Sequence, residues 1–172
     1  MKYQLQSHIN RNYYKGDFLN KFIFLITIIC GLSAFSDTKP NLNKNGVILE
    51  GYDAVSYFTA KEPLKGSAQF QTKIGEATYW FSSIENKNIF LKDPKKYSPE
   101  FDGWCAYAVA DSKSKVEIDP KSFLIQDGRL LVFYNGLWGD TRKKWTTDKK
   151  KTQAAFLTEA DKNWPTVKTT EP

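Results

Sequence analysis

Residues 78–97, TYWFSSIENKNIFLKDPKKY, decide the fold of this 172-residue chain. Tyr79 and Phe81 alternate with other residues at the start of this stretch, which predicts a β-strand. Ser82 and Glu85 follow with the S-x-x-E spacing of a capping box, in which each side chain pairs with a free backbone N–H at a helix start. The spacing therefore predicts a strand that runs directly into a short helix.

The predicted helix has an apolar side and a defined end. Ile84, Phe90 and Leu91 are expected to form the apolar side, although neighbouring Ile89 makes it wide. Asp93-Pro94 is expected to end the helix, because proline lacks an N–H and disfavours helix in the residue before it.

The first 36 residues are predicted to be a secretory signal peptide. Residues 22–35, FIFLITIICGLSAF, form an apolar run that follows basic residues. The run is shorter than the roughly 20 residues of a membrane-spanning helix. Small residues at Ala34 and Ser36 suit a signal peptidase, so we expect a mature chain that begins near Asp37 and is exported to the periplasm or the extracellular space. An uncleaved anchor and a lipoprotein attached through Cys30 are the alternatives.

Cleavage would change the chemistry of the chain. The segment contains the single histidine, His8, the single methionine and one of the two cysteines. It also contains four basic residues and one acidic residue, so 21 basic and 18 acidic residues would remain, and the net charge would fall from +6 to +3. Without histidine, the mature chain cannot build a Ser-His-Asp triad or a Cys-His pair, and it cannot bind zinc or haem through imidazole. A methionine-based copper site is excluded as well.

The order of predicted elements gives an α+β fold. Strands are expected at residues 47–49, at 68–73 and 76–81 around an Ile74-Gly75 turn, and at 123–126 and 129–134 around Asp127-Gly128. After Asn135-Gly136 the pattern turns helical, with helices expected at 141–150 and 153–164 and Pro165 as the end of the last one. Trp145, Phe156, Leu157 and Trp164 have spacings that can face one way. Residues 103–110 fit a strand or a helix equally well.

The predicted domain boundaries follow composition. Residues 37–46 are polar and are expected to be a flexible leader, residues 47–165 form a single domain, and residues 166–172 form a polar tail.

Several ordered motifs recur at similar spacing between about Leu49 and Trp164, among them KGS at residues 65–67 and IDP at residues 118–120. The longer ones are GYDAVSYF (51–58), FQTKIGEATYWFSSIEN (70–86), FLKDPKKY (90–97), GWCAYAV (103–109) and DGRL (127–130). Together they resemble exported bacterial YHS domain proteins. The resemblance implies a small core of β-hairpins packed with a short helix, related to the zinc-finger-like YHS and TRASH domains. It implies little about activity.

The chain departs from the metal-binding relatives at the metal ligands. The resemblance implies cysteines at the first turn, at the helix start and one turn into the helix, and the nearest positions here are Ser56, Ser82 and Asn86. Hydroxyl and amide groups do not replace thiolates for zinc or copper(I). We therefore expect the inherited metal site to be lost, and the sequence leaves the identity of any metal or cofactor unknown.

Cys105 is the only residue of the predicted mature chain with intrinsic reactivity. Its apolar neighbours favour a small buried hydrophobe, whereas a lone exported thiol cannot form an internal disulfide and is unusual. The functional hypothesis places Cys105 in a pocket for a metal or small ligand. The other candidate ligand-binding residues are Tyr52, Asp53, Tyr57, Trp104 and Tyr107. For Asp53 and for Asp119, capping of a local turn is the alternative.

The basic run around Trp145 suggests at most peripheral membrane contact. Lys143-Lys144 and residues 149–151 surround this tryptophan. In an exported protein such a run is expected to be a solvated helix face with weak attraction to anionic membranes, and no nucleic-acid partner is expected.

These observations predict an exported, non-catalytic YHS-type binding module that holds a metal, a small ligand or a partner protein near Cys105. No catalytic residue is assigned. One alternative is a thiol-dependent redox or metal-handling enzyme, which an exposed Cys105 beside an acid or cation would favour. The other is a structural envelope protein, which a dry, packed Cys105 would favour.

Overall fold

The structure, a computed structural model, describes residues 39–172. The predicted signal peptide, with His8 and Cys30, lies outside the described residues. The described part contains both helices and antiparallel β-hairpins, which confirms the predicted α+β fold. None of the helices within 39–172 is long and apolar enough to cross a membrane.

The described residues form three antiparallel hairpins and a series of mostly short helices. The strand pairs are β1 (Ser67–Ile74) with β2 (Ala77–Phe81), β3 (Asp119–Gln126) with β4 (Arg129–Phe133), and β5 (Asn135–Gly136) with β6 (Gly139–Asp140). The α-helices are α1 (Ser56–Thr59), α2 (Ile84–Lys92), α3 (Pro94–Tyr97), α4 (Ala106–Asp111), α5 (Thr141–Thr147) and α6 (Gln153–Val167). Single 3-10 turns lie at Leu49–Gly51 and Glu100–Gly103.

Both predicted hairpins are present. Asp127 and Gly128 join β3 to β4 with φ of 52° and 76°, the left-handed values that a two-residue hairpin turn requires. In the first hairpin, Ile74 pairs with Ala77, so the turn lies one residue later than predicted. Gly75 occupies that turn with φ of 57°, a conformation that costs glycine little.

The predicted capping box at the start of α2 is wrong by one residue. Ser83 is the N-cap, and its hydroxyl accepts the N–H of Asn86 at 3.1 Å. The hydroxyl of Ser82 donates instead to Asp53 Oδ2 at 2.6 Å. The S-x-x-E spacing favours Ser82, but the buried carboxylate of Asp53 holds that serine, so Ser83 caps the helix.

The predicted apolar side of α2 is also wrong in part. Phe90 is fully buried, whereas Ile84, Ile89 and Leu91 are exposed. Because the Phe90 ring lies 5.1 Å from Phe81 and packs with Tyr79, one aromatic side chain fastens this helix to β2. The predicted end of the helix at Asp93-Pro94 is confirmed.

The core of the described residues consists of two apolar clusters. The first lies between the β1–β2 hairpin, α1 and α2, and also includes Leu130 and Val132 of β4. The second joins β4 to α4, α5 and α6. Trp145 is fully buried in it and stacks on Phe156 at 5.1 Å, which confirms that the aromatic residues of the last helices face one way. Strand β4 serves both clusters because its alternate side chains point to opposite faces.

The last third of the chain differs from prediction in two places. Helix α6 does not end at Pro165 but continues to Val167, where the N–H of Lys168 bonds to the carbonyl of Trp164. The residues after Tyr134 do not turn helical directly, because the β5–β6 hairpin comes between β4 and α5. Residues 103–110, which the sequence left undecided, lead into helix α4.

The ends of the described chain also contact the domain. Asn41 N–H donates to the carbonyl of Asp102, Leu42 bridges to Ile48, and Lys39 forms an ion pair with Glu171 at 2.7 Å.

Candidate functional site

The Cys105 thiol is buried and hydrogen-bonded. It has no exposed surface, its sulfur accepts the N–H of Tyr134 at 3.3 Å, and it lies 3.4 Å from Thr141 Oγ1. Thr141 Oγ1 already donates to the carbonyl of Tyr134 at 2.8 Å, so the thiol is the donor to Thr141. Tyr134 directly precedes β5, and Thr141 directly follows β6. The thiol therefore closes the base of the β5–β6 hairpin and does not face a solvent-filled pocket.

The stem of this hairpin is braced from within. The ring of Tyr134 lies so close to Gly136 that a Cβ there would come within 2.6 Å of the phenol oxygen. That oxygen accepts the N–H of Trp138 at 3.2 Å, and Asn135 Nδ2 donates to Asp119 Oδ2 at 3.2 Å. These contacts order the hairpin before any partner arrives, so little ordering entropy would oppose binding.

The tip of the hairpin consists of two large apolar side chains in solvent. Leu137 is 98 % exposed and Trp138 is 84 % exposed, and we call this pair the Leu-Trp tip. The other large apolar side chains exposed among the described residues are at most 47 % exposed. The turn does not require either side chain, because Gly139, with φ of 103°, takes the left-handed position. Neither side chain of the Leu-Trp tip therefore contributes to the core or to the geometry of the turn.

A cleft with cationic and apolar walls lies beside the hairpin. Its volume is about 360 Å³. Its lining residues are Phe123, Leu124, Asp140, Arg142, Lys143 and Thr146. Asp140 caps α5 by accepting the N–H of Lys143 at 3.0 Å, so this carboxylate is already engaged. Arg142 and Lys143 are exposed, which gives the cleft a cationic edge.

Directly after α5, the second acidic residue is engaged as well. Asp148 Oδ1 accepts the N–H groups of Lys150 and Lys151, each at 2.7 Å, and these bonds lower the pKa of the carboxyl. Within residues 135–151 there are six cations and two carboxylates, a local net charge of +4. The hairpin and α5 therefore form a cationic surface with an apolar tip.

Asp53 is the centre of a separate buried polar cluster. The side chain has no exposed surface. Oδ1 accepts the N–H groups of Val55 at 2.9 Å and Ser56 at 3.3 Å, and Oδ2 accepts Ser82 N–H at 2.8 Å, Ser82 Oγ–H at 2.6 Å and Asn86 Nδ2–H at 2.7 Å. All five donors are neutral. The turn-capping role considered for Asp53 is confirmed, and the same carboxylate also ties this turn to the start of α2.

The two candidate tyrosines near Asp53 belong to the first core cluster. Tyr57 is 2 % exposed, its hydroxyl donates to the carbonyl of Pro120 at 2.8 Å, and burial raises the pKa of the phenol far above its ordinary value. Tyr52 is half-buried, with Lys65 Nζ 4.2 Å from the centre of its ring. Both rings pack against other core side chains and do not line the cleft beside α5.

The two aromatic residues that flank Cys105 also have structural partners. Trp104 is 6 % exposed, and its Nε1–H donates to the carbonyl of Lys39 at 2.9 Å. Tyr107 is half-buried with its ring 5.4 Å from Phe156 of the second cluster. Tyr52 and Tyr57 thus belong to the first core cluster and Tyr107 to the second, whereas Trp104 and Cys105 are buried outside both, and a ligand pocket near Cys105 stays a prediction.

A second cleft, of about 560 Å³, lies next to Arg129 and carries charges of both signs. Arg129 bonds to Glu100 at 2.8 Å and to Asp161 at 2.7 and 2.9 Å, and these bonds raise the pKa of the guanidinium. The two carboxylates neutralise the guanidinium of Arg129. Because Asp161 belongs to α6 and Arg129 to β4, these ion pairs join α6 to the rest of the domain.

Within residues 39–172, no group of three or more His, Cys, Asp or Glu side chains is arranged to hold a metal ion. Comparison of this chain with family models, with characterised proteins and with solved structures finds no match. Sequence reasoning missed the Leu-Trp tip. The signal for it was the sequence Asn-Gly-Leu-Trp-Gly-Asp, in which turn-forming residues flank two apolar ones.

Proposed function

We propose that this chain is an exported, non-catalytic YHS-type module that binds a partner through the Leu-Trp tip and the cationic surface beside it. The observation that carries the proposal is the exposure of Leu137 and Trp138 on a braced hairpin. Exposed apolar surface of this kind is typical of interaction sites. In this proposal the binding face is at the tip of the β5–β6 hairpin, whereas Cys105 lies at the base of the same hairpin.

The Asp53 cluster supports the YHS-type assignment. Ser56, Ser82 and Asn86 are the positions nearest to the metal ligands of the relatives that the sequence resembles. All three bond to Asp53: Ser56 through its N–H, Ser82 through its N–H and hydroxyl, and Asn86 through its amide. In this proposal, a carboxylate with neutral donors ties together the elements that a metal ion ties together in the relatives.

The placement of Cys105 supports a structural role for the thiol. A nucleophilic or metal-binding cysteine acts as a thiolate in a partly exposed, electropositive setting. Cys105 is buried and hydrogen-bonded to Tyr134 and Thr141, so its contribution is to hold the hairpin base. A purely structural envelope protein would have the same buried thiol, but it would have no use for the exposed Leu-Trp tip.

Site-specific photo-crosslinking in the native host tests the proposal. Trp138 is replaced by benzoylphenylalanine in the full chain, and Leu91, 46 % exposed on α2, is replaced in the same way as a matched control. We expect adducts from position 138 and none above background from position 91. Mass spectrometry then identifies whether the adduct is lipid, another protein or a second copy of the chain.

Equal adduct yields from positions 138 and 91 would contradict the proposal. A circular dichroism spectrum of each variant that matches the wild-type spectrum shows that the fold is intact.

A further inference from the structure

We propose that the partner of the Leu-Trp tip is the surface of a bilayer rich in anionic phospholipid. This inference rests on the proposed function, because it names the partner of the same surface. It follows from three features: the apolar tip, the cationic residues Arg142 and Lys143 that follow it in the chain, and the mixed cleft that these two residues line.

The chemistry of the tip suits the boundary between headgroups and acyl chains. Tryptophan has a large apolar ring and one N–H donor, and it is enriched at membrane–water interfaces for that reason. Leu137 adds a purely apolar side chain at the same turn, and both are more than four-fifths exposed. Interfacial segments place their apolar groups about 5–10 Å into this zone, a depth that the side chains of one turn can reach.

The cations follow the tip closely in the chain. Arg142 is four residues from Trp138, so their Cα atoms are at most about 14 Å apart even in a fully extended chain. Lys143 follows, and the long side chains of both residues can bring their charges to the plane of the phosphates while Trp138 is inserted. The acidic neighbours Asp140 and Asp148 accept backbone N–H groups but keep their negative charges, so the attraction to an anionic surface comes from the remaining local net charge of +4.

The cleft extends this complementarity. Arg142 and Lys143 stand beside the side chains of Phe123 and Leu124 in its walls. An anionic phospholipid likewise presents a charged phosphate next to apolar chain. An uncharged apolar pocket would leave these cations unmatched, whereas an anionic phospholipid surface matches both the apolar tip and the cations.

Quenching of Trp138 by brominated lipid tests the inference in the full chain. Wild-type protein and a W138F variant are mixed with vesicles of phosphatidylglycerol or of phosphatidylcholine that carry bromine on the acyl chains. The difference in quenching between the two proteins reports Trp138 alone, even if residues outside 39–172 also attach the chain to the vesicle. We expect this difference with phosphatidylglycerol, and its loss with phosphatidylcholine or in high salt.

Charge reversal tests the role of the cations. In the R142E/K143E variant, we expect the lipid concentration for half-maximal quenching of Trp138 to rise at least about 25-fold, from about fivefold for each basic residue near the surface. A K92E/K95E variant has the same change in net charge at exposed positions of α2 and α3. For this control variant, the lipid concentration for half-maximal quenching of Trp138 should stay within about threefold of the wild-type value.

Three outcomes would overturn the inference. Equal quenching of the wild-type and W138F proteins would mean that the tip does not enter the bilayer. Equal quenching in neutral and anionic vesicles would remove the role of the cations. Photo-crosslinks from position 138 to a protein or to a second copy, without quenching by lipid, would leave the proposed function standing and assign it a different partner.

Discussion

Replacement of Asp53 by asparagine should destabilise the domain strongly, although the two side chains have nearly the same shape. The carboxylate accepts five hydrogen bonds with no solvent exposure. An asparagine presents one oxygen and one NH2 group. If its oxygen takes the place of Oδ2, the NH2 group faces the N–H of Val55 and leaves that donor without an acceptor.

The magnitude follows from these contacts. An unsatisfied buried donor costs about 1–3 kcal/mol, and a bond to a charged acceptor contributes about 1 kcal/mol more than a bond to a neutral one. Three bonds at Oδ2 lose that advantage, while burial of a neutral amide is easier than burial of a charge. The Ser56 N–H keeps a second acceptor in the carbonyl of residue 53. We expect D53N to lower the free energy of unfolding by about 3 kcal/mol, with a fall of about 10 °C in Tm.

Urea unfolding followed by circular dichroism measures this change. Asp119→Asn is the matched control, because Asp119 also accepts a local N–H, that of Lys121 at 2.9 Å, and the Asn135 amide at 3.2 Å, but both bonds are exposed. The control should cost less than about 1 kcal/mol. If D53N costs no more than D119N, Asp53 does not tie the first turn to α2, and the explanation given for the Ser82 contact fails.

Three further predictions concern the hairpin and the core. Cys105 should react with iodoacetamide at least about 100-fold more slowly in the native protein than in urea, and comparable rates would contradict its burial. G136A should lower the free energy of unfolding by about 1–2 kcal/mol in urea unfolding, because the new methyl group meets the phenol oxygen of Tyr134; an unchanged midpoint would mean that this ring does not brace the stem. Burial raises the pKa of Tyr57, so this phenol stays neutral in the fold while it ionises in the unfolded chain above pH 10. Its stabilising contribution is complete below pH 10 and falls above it by up to about 1.4 kcal/mol per pH unit. The urea midpoint should therefore fall less between pH 8 and pH 11 in Y57F than in wild type. An equal fall in the two proteins would contradict the raised pKa of Tyr57 in the fold.

The sequence predicts those parts of the fold that depend on local backbone chemistry. Asp127-Gly128 supplies the left-handed residues that its hairpin requires, and Asp93-Pro94 ends α2 because proline cannot continue it. The predictions that fail depend on distant partners. The S-x-x-E spacing selects Ser82 as the cap of α2, but Ser83 takes that role because Asp53, 29 residues away from Ser82, holds the Ser82 hydroxyl.

The candidate site could be predicted only in part. Cys105 was identified from its chemistry, but its position under the β5–β6 hairpin depends on the contacts with Tyr134 and Thr141. The Leu-Trp tip escaped prediction because apolar residues are expected inside, and only the fold shows that this pair has no core to enter. Helix α6 continues past Pro165 because its last turn needs only the N–H groups that follow the proline.

Hydroxyl-radical footprinting of the unmodified chain tests the central claim most directly, since it needs no substitution. The rate of oxidation of Trp138 is measured in intact host cells and in the purified protein, with Leu91 as the exposed reference in the same molecule. The account predicts that Trp138 is oxidised several-fold more slowly in cells, while the rate at Leu91 stays the same. Equal rates for Trp138 in cells and in solution would contradict a binding role for the Leu-Trp tip.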